Sequence, residues 1–334
     1  MGDKHVKNDK DNKARNSATK ILILICLGIF IVFTVAKYTT DENFRYDIDT
    51  NLLKKQVSES NLNTIEINSD YNPQVYAYDK YITVLSKNKL TEYTSDGKSV
   101  AELDINISVP LVSSNEKYLV MAEKNGKTIY LISGSSILWQ NTVEGEISQV
   151  SVNKNGYVSI VIKNTIYKSI VVFFDLSGKE LFRTYLDSTY TTCTAISTNN
   201  SYLAIGGVDY SGTIIKSYVK IVSAELAQSD PKNSIVYTYE SENGEIITNV
   251  SYKDKNTAIC MFNTYIQKIT PDSNERVYDI TNNDLFIDIN LKDYIAIIDK
   301  QSSGLFSYEY EISMKNQTNS SENLYILNSD LPKS

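Results

Sequence analysis

A short strand-like motif recurs along the chain, and its spacing limits the folds that the chain can adopt. Six copies begin 37 to 55 residues apart, and each is a mostly apolar run of four residues. Their first residues are Tyr81, Tyr118, Tyr157, Tyr202, Thr257 and Tyr294. A repeat near 40 residues is typical of the blades of a WD40-like β-propeller. Each blade buries its faces against neighbouring blades, so tandem copies are expected to close into a ring.

Turn signals divide each repeat into four strands. Segments rich in Ser and Asn precede four of the motifs, and their side chains favour turns because they bond the local backbone. These segments are residues 113–117, 151–156, 197–201 and 251–256. A second hairpin signal, with glycine where a positive φ is needed, occurs at Gly97, Gly134 and Gly178. The sequence therefore predicts an all-β protein, a β-propeller of about six four-stranded blades, with seven blades or an irregular β-sandwich as alternatives.

The last repeat is predicted to lack one strand. After the sixth motif the chain has only two further strand-like segments, residues 306–314 and 323–328, so an outer strand is missing from the final blade. Residues 64–67 precede the first blade, and we expect them to supply that strand and join the ends of the ring. The alternative is a chain shortened from a seven-bladed original.

A sixteen-residue stretch without charge, residues 21–36, is flanked by Lys20 and Lys37 and followed by Tyr38. At about 1.5 Å per residue, this stretch and its flanks are long enough to cross a hydrocarbon core of about 30 Å. The sequence therefore predicts one N-terminal transmembrane helix over residues 21–38. A cleaved signal peptide is the alternative, but the basic leader and the apolar run are longer than such peptides usually have.

The predicted membrane helix determines the domain organisation. The leader carries six basic and three acidic side chains, and positive segments remain on the cytoplasmic side. The prediction is a cytoplasmic basic leader (1–20), a transmembrane helix (21–38), a stalk (39–63) and an extracytoplasmic β-propeller (64–334). We therefore expect a single-pass protein of the cell membrane with its N-terminus in the cytoplasm.

Charge and composition exclude several classes of function. The formal charge is -7, and the basic leader makes the remaining chain more acidic still, so nucleic acid is not an expected partner. The sequence lacks the glycine motifs that bind phosphates, so neither a nucleotide nor another cofactor is expected. His5 is the only histidine and lies in the leader. This position excludes His-dependent catalytic triads and His-ligated zinc from the outer domain.

Three cysteines are present in the sequence. Cys26 lies in the apolar stretch, whereas Cys193 and Cys260 lie in strand-like segments. We expect Cys193 and Cys260 to be buried free thiols, with a disulfide between them as the alternative.

Acidic pairs are the remaining source of catalytic chemistry. A glycosidase needs two carboxyl groups roughly 5 to 10 Å apart. The pairs considered are Glu144 with Glu146, Glu242 with Glu245, and Asp284 with Asp288. Asp284, Asp288 and Asn290 also carry the oxygen ligands that calcium prefers, although without EF-hand spacing. All are expected to be solvated charges, so no catalytic, cofactor-binding or metal-binding residue is predicted.

Several stretches of strand and turn carry a resemblance to a known family. They are residues 90–93, 95–98, 155–158, 168–175 and 177–182. In these stretches the chain resembles the uncharacterised Gram-positive single-pass membrane proteins grouped as domain of unknown function 5711. The resemblance spans nearly the whole chain and implies a basic leader, one membrane helix and a propeller-like outer domain. It implies no functional residues, because the matching stretches are structural turns and strands.

Two hypotheses on function follow from the predicted fold. The first is a membrane-anchored scaffold without enzymatic activity, whose propeller binds an envelope protein or peptide. The second is a cell-surface glycan-binding or glycan-cleaving protein. A scaffold should expose an apolar or aromatic patch on one face of the ring. A glycan-cleaving enzyme should instead place two close carboxylates at the mouth of the central channel.

Overall fold

The computed structural model describes residues 27–28, 30–39, 65–67, 72–241, 244–291, 294–302, 308–316 and 322–327. The chain separates into two compact units, Met1–Thr64 and Ile65–Ser334. In the described part of the second unit, 24 strands form six antiparallel sheets of four strands each. The predicted all-β fold with six four-stranded units is therefore confirmed.

In the first unit, the described residues 30–39 are helical, and their large apolar side chains are exposed. The hydroxyl of Thr34 donates a hydrogen bond to the carbonyl of Phe30 at 2.8 Å, within the same helix. Within the described residues, no helix combines the length and the apolar character needed to span a membrane. The leader (1–20), residues 21–26 and 29 of the predicted membrane helix, and residues 40–63 of the predicted stalk lie outside the described residues.

The first three sheets follow one another along the chain, and within each sheet neighbouring strands are consecutive. Sheet 1 contains β1 Gln74–Tyr78, β2 Tyr81–Ser86, β3 Lys89–Tyr93 and β4 Ser99–Asp104. Sheet 2 contains β5 Pro110–Asn115, β6 Tyr118–Glu123, β7 Thr128–Ser133 and β8 Ser136–Thr142. Sheet 3 contains β9 Glu146–Val152, β10 Val158–Lys163, β11 Ser169–Phe174 and β12 Glu180–Leu186.

The last three sheets have the same order. Sheet 4 contains β13 Tyr190–Ile196, β14 Tyr202–Asp209, β15 Lys216–Ser223 and β16 Ile235–Glu240, with an α-helix Ala224–Ser229 and a 3₁₀ turn Pro231–Asn233 inserted before β16. Sheet 5 contains β17 Ile247–Tyr252, β18 Ala258–Phe262, β19 Tyr265–Ile269 and β20 Asn274–Asp279. Sheet 6 contains β21 Asp284–Asp288, β22 Tyr294–Ser302, β23 Tyr308–Asn316 and β24 Glu322–Leu327.

Each sheet packs on the next because successive residues of a strand point to opposite faces. In β6, Leu119 joins a buried cluster shared with sheet 1, whereas Val120 joins one shared with sheet 3. In β14, Leu203 joins the cluster shared with sheet 3, and Ala204 joins the one shared with sheet 5. Five such clusters connect consecutive sheets from sheet 1 to sheet 6. Stacking of this kind makes the unit propeller-like.

The prediction that the final blade lacks a strand is wrong. Sheet 6 is complete because β21 precedes β22 and supplies its first strand. The repeated motif occupies the second strand of each sheet, so counting from the motif onward left out the strand before it. The described residues 65–67 lie in no strand, so they do not join the ends of the ring as expected. No buried cluster of described residues connects sheet 6 to sheet 1.

The predicted glycine hairpins are confirmed. Gly97, Gly134 and Gly178 adopt φ values of 81°, 54° and 80°. At Gly178 the requirement is also steric, because an added Cβ would lie 2.8 Å from Cδ2 of Trp139. Trp139 in sheet 2 donates from Nε1 to the carbonyl of Leu176 at 3.0 Å, in the same hairpin of sheet 3. The hairpin between β11 and β12 is therefore part of the contact between sheets 2 and 3.

The Ser- and Asn-rich turns also connect neighbouring sheets. Asn153 donates from Nδ2 to the carbonyl of Ser197 at 2.9 Å, across the boundary between sheets 3 and 4. The hydroxyl of Ser113 accepts from the N–H of Val152 at 3.3 Å, between sheets 2 and 3. These residues therefore have two roles, because they form a turn or strand end and also fix the position of the next sheet.

One carboxyl group is fully buried between sheets 1 and 2. Glu92 of β3 accepts hydrogen bonds on its two carboxylate oxygens from the hydroxyls of Tyr78 and Ser135. Such bonds replace the water that a buried carboxylate loses. Burial and the bond to Glu92 raise the pKa of Tyr78 above its usual value. Because Ser135 belongs to sheet 2, Glu92 helps to hold the first two sheets together.

Cys193 and Cys260 are buried free thiols, as the sequence predicts. Both belong to the cluster between sheets 4 and 5. Burial raises the pKa of Cys260 well above its usual value and that of Cys193 to about 12. A raised pKa suppresses the thiolate that disulfide exchange requires. Cys26 lies outside the described residues.

Candidate functional site

Four tyrosines and two isoleucines form a partly exposed patch at one end of sheets 3 and 4. This tyrosine surface consists of Ile166, Tyr167, Tyr185, Tyr190, Tyr210 and Ile214. The residues lie on the β10–β11 loop, the end of β12, the start of β13 and the β14–β15 loop. The exposed fraction is 82% for Ile166, 58% for Tyr210 and 57% for Ile214. The patch combines aromatic and aliphatic side chains, and Tyr167 also packs against the buried cluster between sheets 2 and 3.

Ring contacts hold the tyrosine surface together. The rings of Tyr190 and Tyr210 are stacked, with centroids 4.7 Å apart and planes inclined by 13°. The rings of Tyr167 and Tyr185 have centroids 4.9 Å apart. The ammonium group of Lys168 lies 5.1 Å from the centroid of Tyr190. Because Lys168 follows Tyr167 directly, this cation–π contact connects the two tyrosine pairs.

Short polar side chains order the two loops that carry the patch. Oδ1 of Asn164 accepts from the N–H groups of Ile166 at 2.8 Å and Tyr167 at 3.0 Å. Oδ1 of Asp209 accepts from the hydroxyl of Ser211 at 2.6 Å and from its N–H at 2.9 Å. Asx turns of this kind fix the local backbone. The exposed apolar residues are therefore presented on ordered loops.

The charges next to the tyrosine surface are balanced. The hydrogen bonds from Ser211 lower the pKa of Asp209, and the charges of Lys168 and Lys216 lower it further. Lys216 also forms an ion pair with Glu240. Since neither sign of charge dominates, contacts to this patch are expected to be aromatic and apolar rather than ionic.

A cavity of ≈ 640 Å³ lies between the first strands of sheets 2 to 5. Most of its polar lining is neutral, and it includes Ser113, Gln149, Ser151, Thr194, Asn249 and Ser251. Among the described lining residues, Glu116 is the one acid, and Lys154 and Lys253 are the cations. A single carboxylate does not provide the pair of acids that glycoside hydrolysis requires. The described lining therefore gives no support to glycan cleavage.

Glu144 and Glu146 interact with two different cations at the surface. Glu144 pairs with Nη1 of Arg183 at 3.0 Å, and its side chain is 84% exposed. Glu146 lies 3.7 Å from Nζ of Lys163. Arg183 also binds Glu180 through Nε and Nη2. The two glutamates lie in exposed ion pairs and do not line the cavity.

The second acidic pair is described only in part. Glu242 lies outside the described residues. Oε2 of Glu245 is buried and accepts no hydrogen bond from the described residues. Burial, a hydrogen bond with Tyr239 and the charges of Tyr239 and Glu245 raise the pKa of Tyr265 above its usual value.

The residues considered for calcium do not converge. Asp284 and Asp288 are four residues apart on β21, which corresponds to about 13 Å at about 3.3 Å per residue. Oδ1 of Asp288 accepts from the N–H of Asn290 at 2.7 Å, and Oδ2 of Asp284 accepts from that of Thr281 at 2.7 Å. Within the part of the chain that the structure describes, no three His, Cys, Asp or Glu side chains could together hold a metal ion.

Asp284 instead faces Asp299, a partner that the sequence did not indicate. Asp299 lies opposite Asp284 across β21 and β22, and Glu311 lies opposite Asp299 on β23. Oδ1 of Asp299 is buried and accepts no hydrogen bond from the described residues. Burial of Asp299 and the nearby charges of Asp284 and Glu311 raise its pKa to about 6, against a weaker opposite effect of Lys315.

The substitution Asp299→Asn is expected to stabilise the protein at neutral and alkaline pH. The folded state holds the Asp299 proton more tightly than the unfolded state, so this carboxyl favours folding when protonated and opposes it once pH rises above about 6. Thermal unfolding should therefore show a gain in Tm for the variant at about pH 8 and little change at about pH 4. Asp288→Asn serves as the control, and an equal Tm gain at both pH values would contradict the account.

Sequence reasoning missed the residues of the tyrosine surface because it treated tyrosine as a strand former. Tyr210, Ile166 and Ile214 lie in loops outside the strands, where strand propensity does not explain them. Large apolar residues inside polar loops were the available signal. The cavity lining gave no such signal, because its members are ordinary Ser, Thr, Asn and Gln residues of separate repeats.

Residues 53–330 match the profile of a family of unknown function (DUF5711), whereas no curated protein matches the sequence. The chain is similar to hydrazine synthase of Kuenenia stuttgartiensis, with 9% identity, a TM-score of 0.51 and coverage of 78% of this chain and 80% of that chain. It is also similar to the Pan2 WD40 domain of Neurospora crassa, with 12% identity, a TM-score of 0.44 and coverage of 68% and 71%. A third similar structure is KlHsv2 with loop 6CD replaced by a Gly-Ser linker, with 9% identity, a TM-score of 0.43 and coverage of 77% of this chain and 73% of that chain. At these identities the similarity concerns the fold alone.

Proposed function

The chain belongs to the family of unknown function DUF5711, which assigns it no activity, and we propose that it is a membrane-anchored scaffold that binds an envelope protein or peptide. In this proposal the propeller-like unit lies outside the cytoplasm, and residues 21–38 anchor it. The partner binds the tyrosine surface through aromatic and aliphatic side chains.

The exposure of the tyrosine surface is the observation that carries this proposal. Tyrosine is enriched at protein interfaces, because its ring gives a large contact area and its hydroxyl tolerates water. In the free protein, Ile166 and Ile214 leave more than half of their surface in water. Aliphatic side chains in ordered loops beside paired tyrosine rings form a site that a protein partner can cover without rearrangement. The balanced charges nearby favour a partner that presents apolar rather than charged side chains.

The proposed anchor rests on the N-terminal sequence. Residues 21–36 carry no charge, and Lys20 and Lys37 flank them. Excess positive charge in the leader favours retention of the N-terminus in the cytoplasm. With that orientation, the propeller-like unit faces the envelope, and the expected partner is an envelope component.

Cross-linking in intact cells tests the proposal. The full-length protein is cross-linked and purified, and its partners are compared with those of a chain containing residues 1–63 alone. The proposal predicts a protein partner that is captured by the full chain and absent from the anchor control. The same capture is then repeated with the double variant Ile166→Ser and Ile214→Ser.

The double variant is expected to capture at least about tenfold less of the partner, because apolar contacts at the centre of an interface contribute about 2 kcal/mol or more to binding. Its stability should change little, since Ile166 and Ile214 are largely exposed. Val100→Ser with Leu138→Ser is the matched control, because these residues are 47% and 46% exposed on the outer strands β4 and β8. Equal capture by both double variants, or a partner set identical to that of residues 1–63, would refute the proposal.

A further inference from the structure

The cavity between the first strands of sheets 2 to 5 presents hydrogen-bonding groups that the described fold does not use. The side chains of Gln149, Ser151 and Ser251 line it and make no hydrogen bond with other described residues. Asn249 uses only Oδ1, which accepts from the N–H of Val250 at 2.8 Å, so its two Nδ2 protons remain for another acceptor. These side chains belong to β9 and β17, which are the first strands of sheets 3 and 5 and both line the cavity.

The charged lining residues lie at one end of the cavity. Glu116 and Lys253 directly follow β5 and β17, and Lys154 lies two residues after β9, each in the turn to the second strand. Lys253 donates to the carbonyl of Leu291 at 2.6 Å and also to that of Ile289. The part of the cavity lined by Gln149, Ser151, Asn249 and Ser251 is therefore neutral.

A neutral polar lining selects against two classes of ligand. An anion such as a phosphate needs cations or several aligned N–H groups, and the part of the cavity lined by Gln149, Ser151, Asn249 and Ser251 holds no cation. An apolar ligand would strip water from the amide and hydroxyl groups without replacing their hydrogen bonds, which is unfavourable. The ligand that fits must therefore donate and accept hydrogen bonds without carrying charge.

We propose that this cavity binds a short neutral oligosaccharide. Each sugar hydroxyl is both a donor and an acceptor, as are the amide of Gln149 and the hydroxyls of Ser151 and Ser251. The volume of ≈ 640 Å³ lies within the range of about 300–1,000 Å³ found for small-ligand sites. The described lining also includes apolar residues such as Val112, Ala195 and Val250. Binding leaves the sugar intact, because the described lining holds only one carboxylate.

Titration of the full-length protein in detergent tests this proposal. The probes are chitotriose and maltotriose, which are neutral, and trigalacturonate, which has a similar size and is negatively charged. Isothermal titration is expected to give a Kd of about 0.1–1 mM for at least one neutral probe. The charged probe is expected to bind at least about tenfold more weakly, since the neutral part of the cavity offers no cation for its carboxylates.

Matched variants locate the binding. Gln149→Met combined with Ser151→Ala keeps the shape of the lining and removes the hydrogen-bonding side chains that β9 contributes to it, so the neutral probe should bind about tenfold more weakly or worse. Gln140→Met is the control, because Gln140 is exposed on the outer strand β8, away from the cavity. Ser251→Ala is a second, milder variant, and thermal unfolding checks that each variant is folded.

The proposal is overturned if neither neutral trisaccharide binds the wild-type protein below about 10 mM. Binding that the cavity variants leave unchanged, or that Gln140→Met weakens equally, also contradicts it, as does binding of trigalacturonate alone. The inference does not rest on the proposed protein partner. Loss of partner capture in the tyrosine-surface variant leaves sugar binding unaffected, so the two proposals can fail separately.

Discussion

Replacing Phe173 with alanine is expected to lower the free energy of unfolding by about 3–5 kcal/mol. Phe173 of β11 is fully buried in the cluster between sheets 3 and 4. Its ring is stacked on that of Phe182, with centroids 4.9 Å apart, and it contacts the ring of Tyr157. Truncation removes these contacts and leaves a cavity at a boundary between sheets, where neither sheet can collapse without moving its own strands. Chemical denaturation followed by circular dichroism measures the loss.

Phe286→Ala is the matched control for this prediction. Phe286 of β21 is 56% exposed, so its truncation should change the stability by no more than about 0.5 kcal/mol. If sheets 3 and 4 did not pack as described, Phe173→Ala would behave like this control, and a difference below about 1 kcal/mol between the variants would contradict the packing.

Asn153→Ala is expected to lower the free energy of unfolding by about 3 kcal/mol, because it breaks a buried turn and a contact between sheets at once. Oδ1 of Asn153 accepts from the N–H groups of Asn155 at 3.0 Å and Tyr157 at 3.1 Å. Its Nδ2 donates to the carbonyl of Ser197 at 2.9 Å and to Oδ1 of Asn200 at 2.5 Å. The residue is 3% exposed, so water cannot replace the lost partners without rearrangement.

Two further variants separate the roles of Asn153. Asn153→Asp keeps the acceptor for the turn but places an oxygen against the carbonyl of Ser197, so only the contact with sheet 4 is broken. Asn164→Ala removes an exposed Asx turn that makes two similar backbone contacts, and it should cost no more than about 1 kcal/mol. Equal losses for Asn153→Ala and Asn164→Ala in denaturant titrations would show that the contact between sheets contributes nothing.

The repeat predicted the sheets because every copy packs against its neighbouring sheets in the same way. The motif that begins near Tyr118 and Tyr202 lies on the second strand, which is covered on both faces by neighbouring sheets and therefore reads as an apolar run. Turn residues such as Gly178 could be identified for a similar local reason, since a positive φ favours glycine. Local sequence thus determined the number of sheets and the positions of the glycine hairpins.

Contacts between strands that lie far apart in the sequence could not be predicted from local sequence. Strand β21 was missed because its burial is partial and it lacks a clear apolar alternation. The pairing of Asp284 with Asp299 depends on the register of β21 and β22, which cannot be predicted from the sequence. The cavity lining and the tyrosine surface likewise combine residues from separate repeats, so neither set can be assembled from local sequence alone.

Site-specific photo-cross-linking at Tyr210 in living cells tests the scaffold account most directly. A photoreactive phenylalanine replaces Tyr210, which is 58% exposed on the tyrosine surface, or Phe286, which is 56% exposed on sheet 6 and serves as the control. The account predicts one discrete cross-linked envelope protein from position 210 and none from position 286. It also predicts loss of this product when Ile166→Ser and Ile214→Ser are added. No product at position 210, or the same product from both positions, would contradict the account.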